Sequence, residues 1–234
     1  MTDAPSRHAD ARDVHDHTRT SAEPARHVPF HVERLTRREL FDGGELLHVP
    51  AFFDATTADA LFVELRDDVP WEHVRVRGVL QRLATYWIGS VPYAYSRQVR
   101  PAAPWLPVPR AIAAAVESVA LGDAGERFEG VLLNYYKDGD VKLGFHADDE
   151  PVIVPDSPIA SLSLGAPRRF VLKHDATGET HELTLTHGSL LVMQGTTQRF
   201  WKHAVPPQRG AGPRINLTFR RCRSGADASA TPRT

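Results

Sequence analysis

The stretch Arg214-Ile215-Asn216-Leu217-Thr218-Phe219-Arg220 decides how this chain is read. Successive side chains of a strand point to opposite faces, so Ile215, Leu217 and Phe219 make one apolar face. Arg214, Asn216, Thr218 and Arg220 make the other, with two guanidinium groups, an amide and a hydroxyl. Two arginines on one strand face suit convergence on a single carboxylate, whose planar fork matches the guanidinium. The run Val131-Leu132-Leu133-Asn134-Tyr135-Tyr136 repeats the device, with Asn134 and Tyr136 on one face of an otherwise apolar strand. Together the two polar rows predict a pocket for a small dicarboxylate.

Between these strands lies His146-Ala147-Asp148. Alternation along a strand would point His146 and Asp148 the same way, onto one ion. Two histidines and one carboxylate hold one face of an octahedral iron(II) ion and leave the other open, as non-heme iron oxygenases require. The third ligand must come from elsewhere, and His203 is the best placed candidate. It sits in Gln198-Arg199-Phe200-Trp201-Lys202-His203-Ala204-Val205-Pro206, expected just after a strand and a turn. His174, His181 and His187 compete. His187 precedes Gly188 in a turn and reads as structural, whereas His174 and His181 flank a hairpin tip at Thr177-Gly178, a position usually given to solvent.

Outward from the site, the chain divides into three. Residues 1–27 are polar, carry His8, His15, His17 and His27, and lack regular apolar positions, so they are expected to be a disordered tail. Residues 28–223 form the expected domain, and 224–234 a second flexible tail. Leu46 to Pro50 reads as a strand. Asp54 is placed to cap a helix carrying Ala58, Leu61, Phe62 and Leu65, and a second helix is expected from Pro109 to about Ala120, ending near Gly122. From Phe128 onward strands dominate, at Ile159–Gly165, Phe170–His174, Glu182–Thr186, Ser189–Met193 and Arg214–Arg220. Helices first and short strands after predict an α+β fold with a β-sandwich or open barrel as its core.

Composition narrows the class. The chain has 234 residues, 41% of them hydrophobic, enough for a sizeable core. The net charge of -1 gives no global field for nucleic acid, but the last third is crowded with arginine from Arg168 to Arg223. Cys222 is the one cysteine, so no internal disulfide forms, which fits a reducing cytoplasm. No apolar run approaches a membrane span.

Asn134-x-Tyr136, His146-x-Asp148-Asp149-Glu150, Ile159–Gly165, His187–Met193, His203 and Arg214-x-Asn216-x-Thr218-x-Arg220, in this order, resemble the AlkB family. These are iron(II)- and 2-oxoglutarate-dependent dioxygenases that repair alkylated nucleic acid. The resemblance runs from about Val69 to Arg221. It implies a double-stranded β-helix (jelly-roll) core with flanking N-terminal helices and a nucleotide-recognition lid. It implies His146, Asp148 and His203 as iron ligands and Arg214 as partner of the distal carboxylate of 2-oxoglutarate. Asn134, Tyr136, Asn216 and Arg220 match its other contacts, with Thr218 in the same row. Thr85–Gly89 and Pro92–Arg97 resemble the nucleotide-recognition region, where Tyr95 matches the residue that stacks on a flipped base, with Tyr93 beside it. Glu150 matches an acidic residue near the exocyclic amine of that base. The plainer alternative for Tyr93 and Tyr95 is packing on the core.

The implied activity is oxidative dealkylation of 1-methyladenine or 3-methylcytosine, releasing formaldehyde, by a cytoplasmic monomer. Rival readings keep the same site but give it RNA, a protein or a small molecule as substrate, or leave it a binding module without turnover. Two departures from the family stand out. Gln81-Arg82 replaces a Pro-Arg dipeptide, and Val74–Val79 lacks the aromatic wedge of members that act on duplex DNA. The second departure favours single-stranded substrate, which needs less unstacking.

Overall fold

The computed structural model describes residues 26–76, 78–95, 98–122 and 125–223. The expected tails lie outside these, apart from Arg26, which pairs with Glu64 at 2.5 Å, and His27. The strands are β1 (Thr36–Glu39), β2 (Gly44–Val49), β3 (Glu72–Val76), β4 (Val79–Gly89), β5 (Tyr93–Tyr95), β6 (Gln98–Arg100), β7 (Gly130–Tyr136), β8 (Leu143–His146), β9 (Ile159–Gly165), β10 (Arg168–His174), β11 (Thr180–Leu185), β12 (Ser189–Gly195), β13 (Trp201–Val205) and β14 (Arg214–Arg220). The helices are α1 (Ala55–Asp68), α2 (Pro107–Ala120) and the single turn α3 (Thr197–Phe200).

Two antiparallel sheets face each other. The larger runs β1-β2-β12-β9-β14-β7-β4-β3 and the smaller β11-β10-β13-β8. From β7 to β14 the chain passes repeatedly between the sheets, which is the double-stranded β-helix. Inward residues such as Phe170, Leu172, Leu191, Met193 and Trp201 fill the space between the sheets. The outer face of the larger sheet is covered by α1 and α2, whose Leu61, Leu65, Ile112 and Val116 meet Leu133, Leu162, Ile215, Leu217 and Phe219. Strand alternation therefore sorts β7, β9 and β14 cleanly, with apolar residues under the helices and polar ones inside the sandwich.

Both helices begin where their sequence dictates. The Asp54 carboxylate accepts the Thr57 N–H at 2.7 Å, satisfying a first-turn donor. α2 starts at Pro107, two residues before the expected Pro109, because a proline in the first turn has no N–H to leave unpaired. The turn after β9 is fixed by Gly165, at φ +91; a Cβ there would lie 2.4 Å from the Pro213 carbonyl oxygen. That close approach seats the start of β14 beside β9, where Arg214 pairs with Gly165.

The first half holds more strand than expected. β1 is exposed at every residue and has no apolar alternation to reveal it. β3 with β4, and β5 with β6, form hairpins whose outer positions are polar or solvated. His174, expected near solvent, is buried; its Nε2 lies 3.1 Å from Asp42 Oδ2 and its ring meets Trp201 edge-on. No helix among the described residues is long and apolar enough to cross a membrane.

Leu217 lies on the central strand with none of its surface exposed, between the sheet and the helices. Leu217→Ala is expected to cost about 3 kcal/mol of unfolding free energy, as a buried leucine deletion does. Urea unfolding followed by circular dichroism measures this, and a loss under about 1 kcal/mol would mean the helical layer does not pack as described.

Candidate active site

The polar row of β14 opens into a cavity of about 300 Å³ between the sheets. Its walls include Asn134 and Tyr136 from β7, His146 from β8, Asp148, His203 from β13, and Arg214, Asn216, Thr218 and Arg220 from β14. Val74, Gln81, Leu83, Thr85, Tyr93 and Arg100, from the two N-terminal hairpins, complete it.

His146, Asp148 and His203 come together with their donor atoms within 4.8 Å of one another. His146 and His203 are register partners across β8 and β13, and their ring centroids are 4.3 Å apart. Strand alternation is not what aims Asp148, however. β8 ends at His146, so Asp148 lies in the loop beyond, held by its backbone N–H donating to Gln198 Oε1 at 2.9 Å. His203 sits within a strand, and Phe170 stacks on its ring at 5.3 Å.

Hydrogen bonding leaves one free donor atom on His146 and on Asp148. His146 Nδ1 lies 2.8 Å from the Gly144 carbonyl oxygen, which only accepts, so Nδ1 carries the proton and Nε2 is free for a metal. Asp148 Oδ1 accepts from Arg220 Nη2 at 2.5 Å, while its buried Oδ2 has no partner. Burial alone would raise the Asp148 carboxyl, but Arg220, His203 and His146 outweigh it and hold it down at about 2. Burial, then His146, pushes the His203 imidazole down to about 3, so at neutral pH it is a neutral ligand and not an ion-pair partner of Asp148. Burial would also lower Arg220; Asp148, Tyr93 and Glu150 reverse that and keep it charged.

At the other end of the row, Arg214 is 1% exposed. Its Nη2 donates to Ser163 Oγ at 2.8 Å and its guanidinium lies over the Tyr136 ring at 5.0 Å. Nε and Nη1 are buried without hydrogen-bond partners, a cost the fold carries unless an anion is received there. Asn216 donates to Ser161 Oγ at 2.8 Å and to the Leu162 carbonyl at 3.0 Å, and its Oδ1 accepts from Thr218 Oγ1 at 3.0 Å and Asn134 Nδ2 at 3.4 Å. This network fixes the middle of the row.

The substrate residues fare differently. Tyr93 is buried, stacked on Trp87 at 4.5 Å and lying under the Arg220 guanidinium at 5.2 Å, so both ring faces are taken. Its hydroxyl donates to Glu150 Oε1 at 2.7 Å. Glu150 lines a second cavity behind Asp148, together with Asp149, Ile153 and Gln198. Tyr95 ends β5, and its side chain lies outside the described residues. His187 is structural, its Nδ1 accepting the Gly165 N–H at 2.8 Å. Ser161, Ser163 and Gln198 were not singled out. Ser161 and Ser163 alternate with apolar residues on β9 as Asn134 and Tyr136 do on β7, which is the signal that would have found them. Gln198 has no such signal.

The chain matches the family profile described as the 2OG-Fe(II) oxygenase superfamily over residues 45–220. It is 36% identical over 186 residues to mouse (Mus musculus) "Alpha-ketoglutarate-dependent dioxygenase alkB homolog 3", covering 73% of this chain and 64% of that protein. It is 38% identical over 187 residues to human (Homo sapiens) "DNA oxidative demethylase ALKBH2", covering 72% of this chain and 70% of that one. The chain belongs to the AlkB family of 2-oxoglutarate- and iron(II)-dependent oxygenases. The match thus spans less than two thirds of the mouse relative's length. The fold also matches "The structure of OsALKBH1", with a TM-score of 0.57 over 75% of this chain and 96% of that one, at 18% identity.

AlkB membership implies iron(II), 2-oxoglutarate and dioxygen, and the residues fit. Two imidazole nitrogens and one carboxylate oxygen converge, and buried N–H donors wait across the same cavity.

The burial of neutral His203 has a pH signature in the metal-free protein. Its folded value of about 3 lies below its ordinary 6.5, so the unfolded chain binds the extra proton first. The resulting stability is fully present above pH 6.5 and is lost as pH falls towards 3; Asp148, held near 2 against an ordinary 3.8, adds a loss below about pH 4. Urea midpoints of the metal-free protein should decline from pH 6.5 to 4, less steeply in His203→Asn. An equally steep decline in that variant would place the imidazole in solvent.

Proposed function

We propose that this protein removes alkyl groups oxidatively from bases of the 1-methyladenine and 3-methylcytosine type in nucleic acid, releasing formaldehyde. The carrying observation is that the free ligand atoms of His146, Asp148 and His203 and the unpartnered N–H groups of Arg214 open into one cavity. The nucleic acid substrate is supported by the human relative, whose name describes a DNA oxidative demethylase.

In this reading His146 Nε2, Asp148 Oδ2 and His203 hold iron(II), which supplies dioxygen activation coupled to decarboxylation of 2-oxoglutarate. Arg214 receives the distal carboxylate on Nε and Nη1. Tyr136 and the Asn134–Asn216–Thr218 network line the path between, and Arg220 holds Asp148 in its ligating orientation. Tyr95 is the proposed stacking residue for the target base. Tyr93 acts as part of the wall, by placing Glu150 and Arg220.

The hairpins β3–β4 and β5–β6 wall the cavity and are the proposed nucleotide-recognition lid. Beyond the turn at Gly78, Val79 and Leu80 are 65% and 53% exposed, and no aromatic ring stands at their level on β3 or β4. Aliphatic side chains stack weakly on bases, which supports single-stranded substrate over duplex. A cytoplasmic location accords with the lone buried cysteine.

Formaldehyde release should be measured with iron(II), 2-oxoglutarate and oligonucleotides carrying 1-methyladenine or 3-methylcytosine. Single strands should turn over faster than duplexes, and His146→Ala should show no turnover. Consumption of 2-oxoglutarate with no formaldehyde from any methylated oligonucleotide would overturn the substrate assignment. Arg214→Ala should raise the KM for 2-oxoglutarate about a hundredfold, the worth of two hydrogen bonds to a charged group.

A further inference from the structure

Arg168, at the start of β10, has no exposed surface, does not line the cavity, and has no carboxylate within ion-pair distance among the described residues. Its Nη2 donates to the carbonyl oxygens of Val141 and Pro206, both at 2.8 Å, and more weakly to Gly139 at 3.5 Å; Nη1 reaches the Asp138 carbonyl at 3.4 Å. The nearest acidic side chain it feels, Asp138, is exposed and paired with Arg82 at 2.9 Å. A buried cation held by carbonyl dipoles alone is costly, and needs a reason.

The reason lies on its other side. The Arg168 guanidinium lies over the Tyr136 ring at 5.3 Å, and that of Arg214 over the same ring at 5.0 Å. Two buried guanidinium groups thus lie against the one ring of Tyr136. Burial lowers both arginines, Tyr136 works against it in each, and Arg168 lowers Arg214 further. Among the described residues no acidic side chain is bonded to either, so this end of the cavity is positive. Arg168 also ties down the loops at that end. Gly139 and Gln208 approach so closely that a Cβ on Gly139 would lie 1.9 Å from the Gln208 carbonyl oxygen, and Arg168 bonds to carbonyls on both sides of this contact.

We propose that Arg168 is a positioning residue for the dicarboxylate cosubstrate: it clamps Tyr136 against Arg214 and adds a second positive charge behind the distal carboxylate. This deepens the preceding reading and rests on it. An anion seated on Arg214 gains from Arg168 across a water-excluded wall, where a unit charge is felt over several ångströms. The arrangement also explains why the cation stands behind the cavity wall: it raises affinity for the carboxylate without offering a competing bond.

The test compares Arg168→Gln and Arg168→Lys with the unaltered protein by calorimetric titration of 2-oxoglutarate under nitrogen, with manganese(II) at the metal site. Arg168→Gln should weaken binding about tenfold and Arg168→Lys about threefold or less, the loss expected of one unit charge in a partly screened interior. Manganese affinity should stay unchanged in both. In turnover with iron(II), the KM for 2-oxoglutarate should rise in step while kcat holds. A merely structural role would lower the melting temperature and the active fraction without moving Kd or KM, and that result overturns the proposal. Unaltered protein that binds manganese but not 2-oxoglutarate would overturn the cosubstrate reading, and this proposal with it. Normal 2-oxoglutarate binding in Arg168→Gln overturns the proposal alone.

Discussion

β14 is buried on both faces, and that single constraint organises the site. An edge or surface strand can leave its polar face to water. Here every residue from Arg214 to Arg220 is buried, so each polar group must find a partner inside the protein or wait for a ligand. The interior of the sandwich answers differently along the strand. Asn216 and Thr218 are satisfied by Ser161, Leu162 and Asn134. Arg220 is neutralised by Asp148 and keeps one donor, Nε, without a partner. Arg214 keeps two donors unmet. The row is therefore graded from closed to receptive, and the receptive groups mark where small molecules fit.

The two ends of the cavity have opposite electrical character. Around the ligand triad, the Asp148 carboxylate is balanced by Arg220, with the neutral His203 imidazole beside it. A divalent ion there meets one compensated negative charge and two soft nitrogen donors, a set that suits iron(II). Around Tyr136 the balance is positive. A molecule with a metal-binding head and a distant carboxylate matches this polarity in one orientation only. Orientation is thereby decided by charge before any shape is considered.

Much of this was legible because strand alternation is a short-range rule. Ile159–Gly165 and Arg214–Arg220 are strands at their expected bounds, and the sides of Asn134, Tyr136, Arg214 and Arg220 follow from parity alone. The helix at Asp54 followed from a local hydrogen bond. What escaped depends on contacts distant in sequence. Gln198 supports Asp148 across fifty positions, and Arg168 reaches back to a loop some thirty positions earlier. Neither leaves a periodic trace. Asp148 itself was expected in line with His146 by alternation; it arrives by a bend, because the strand has already ended. His174 escaped for the same reason, since its partner Asp42 lies 132 positions away.

The three ligands do not share one degree of confinement. His203 is on an inner strand beneath Phe170, and Asp148 is clamped by Arg220 and Gln198. His146 belongs to β8, the free edge of the smaller sheet, and its ring is bonded to a carbonyl two residues away on that same strand and rests against the His203 ring. Edge strands open at lower free energy than interior ones. The site consequently has a hinged side: an ion held there would have one ligand on the part of the sheet that opens most readily and two on parts that stay fixed.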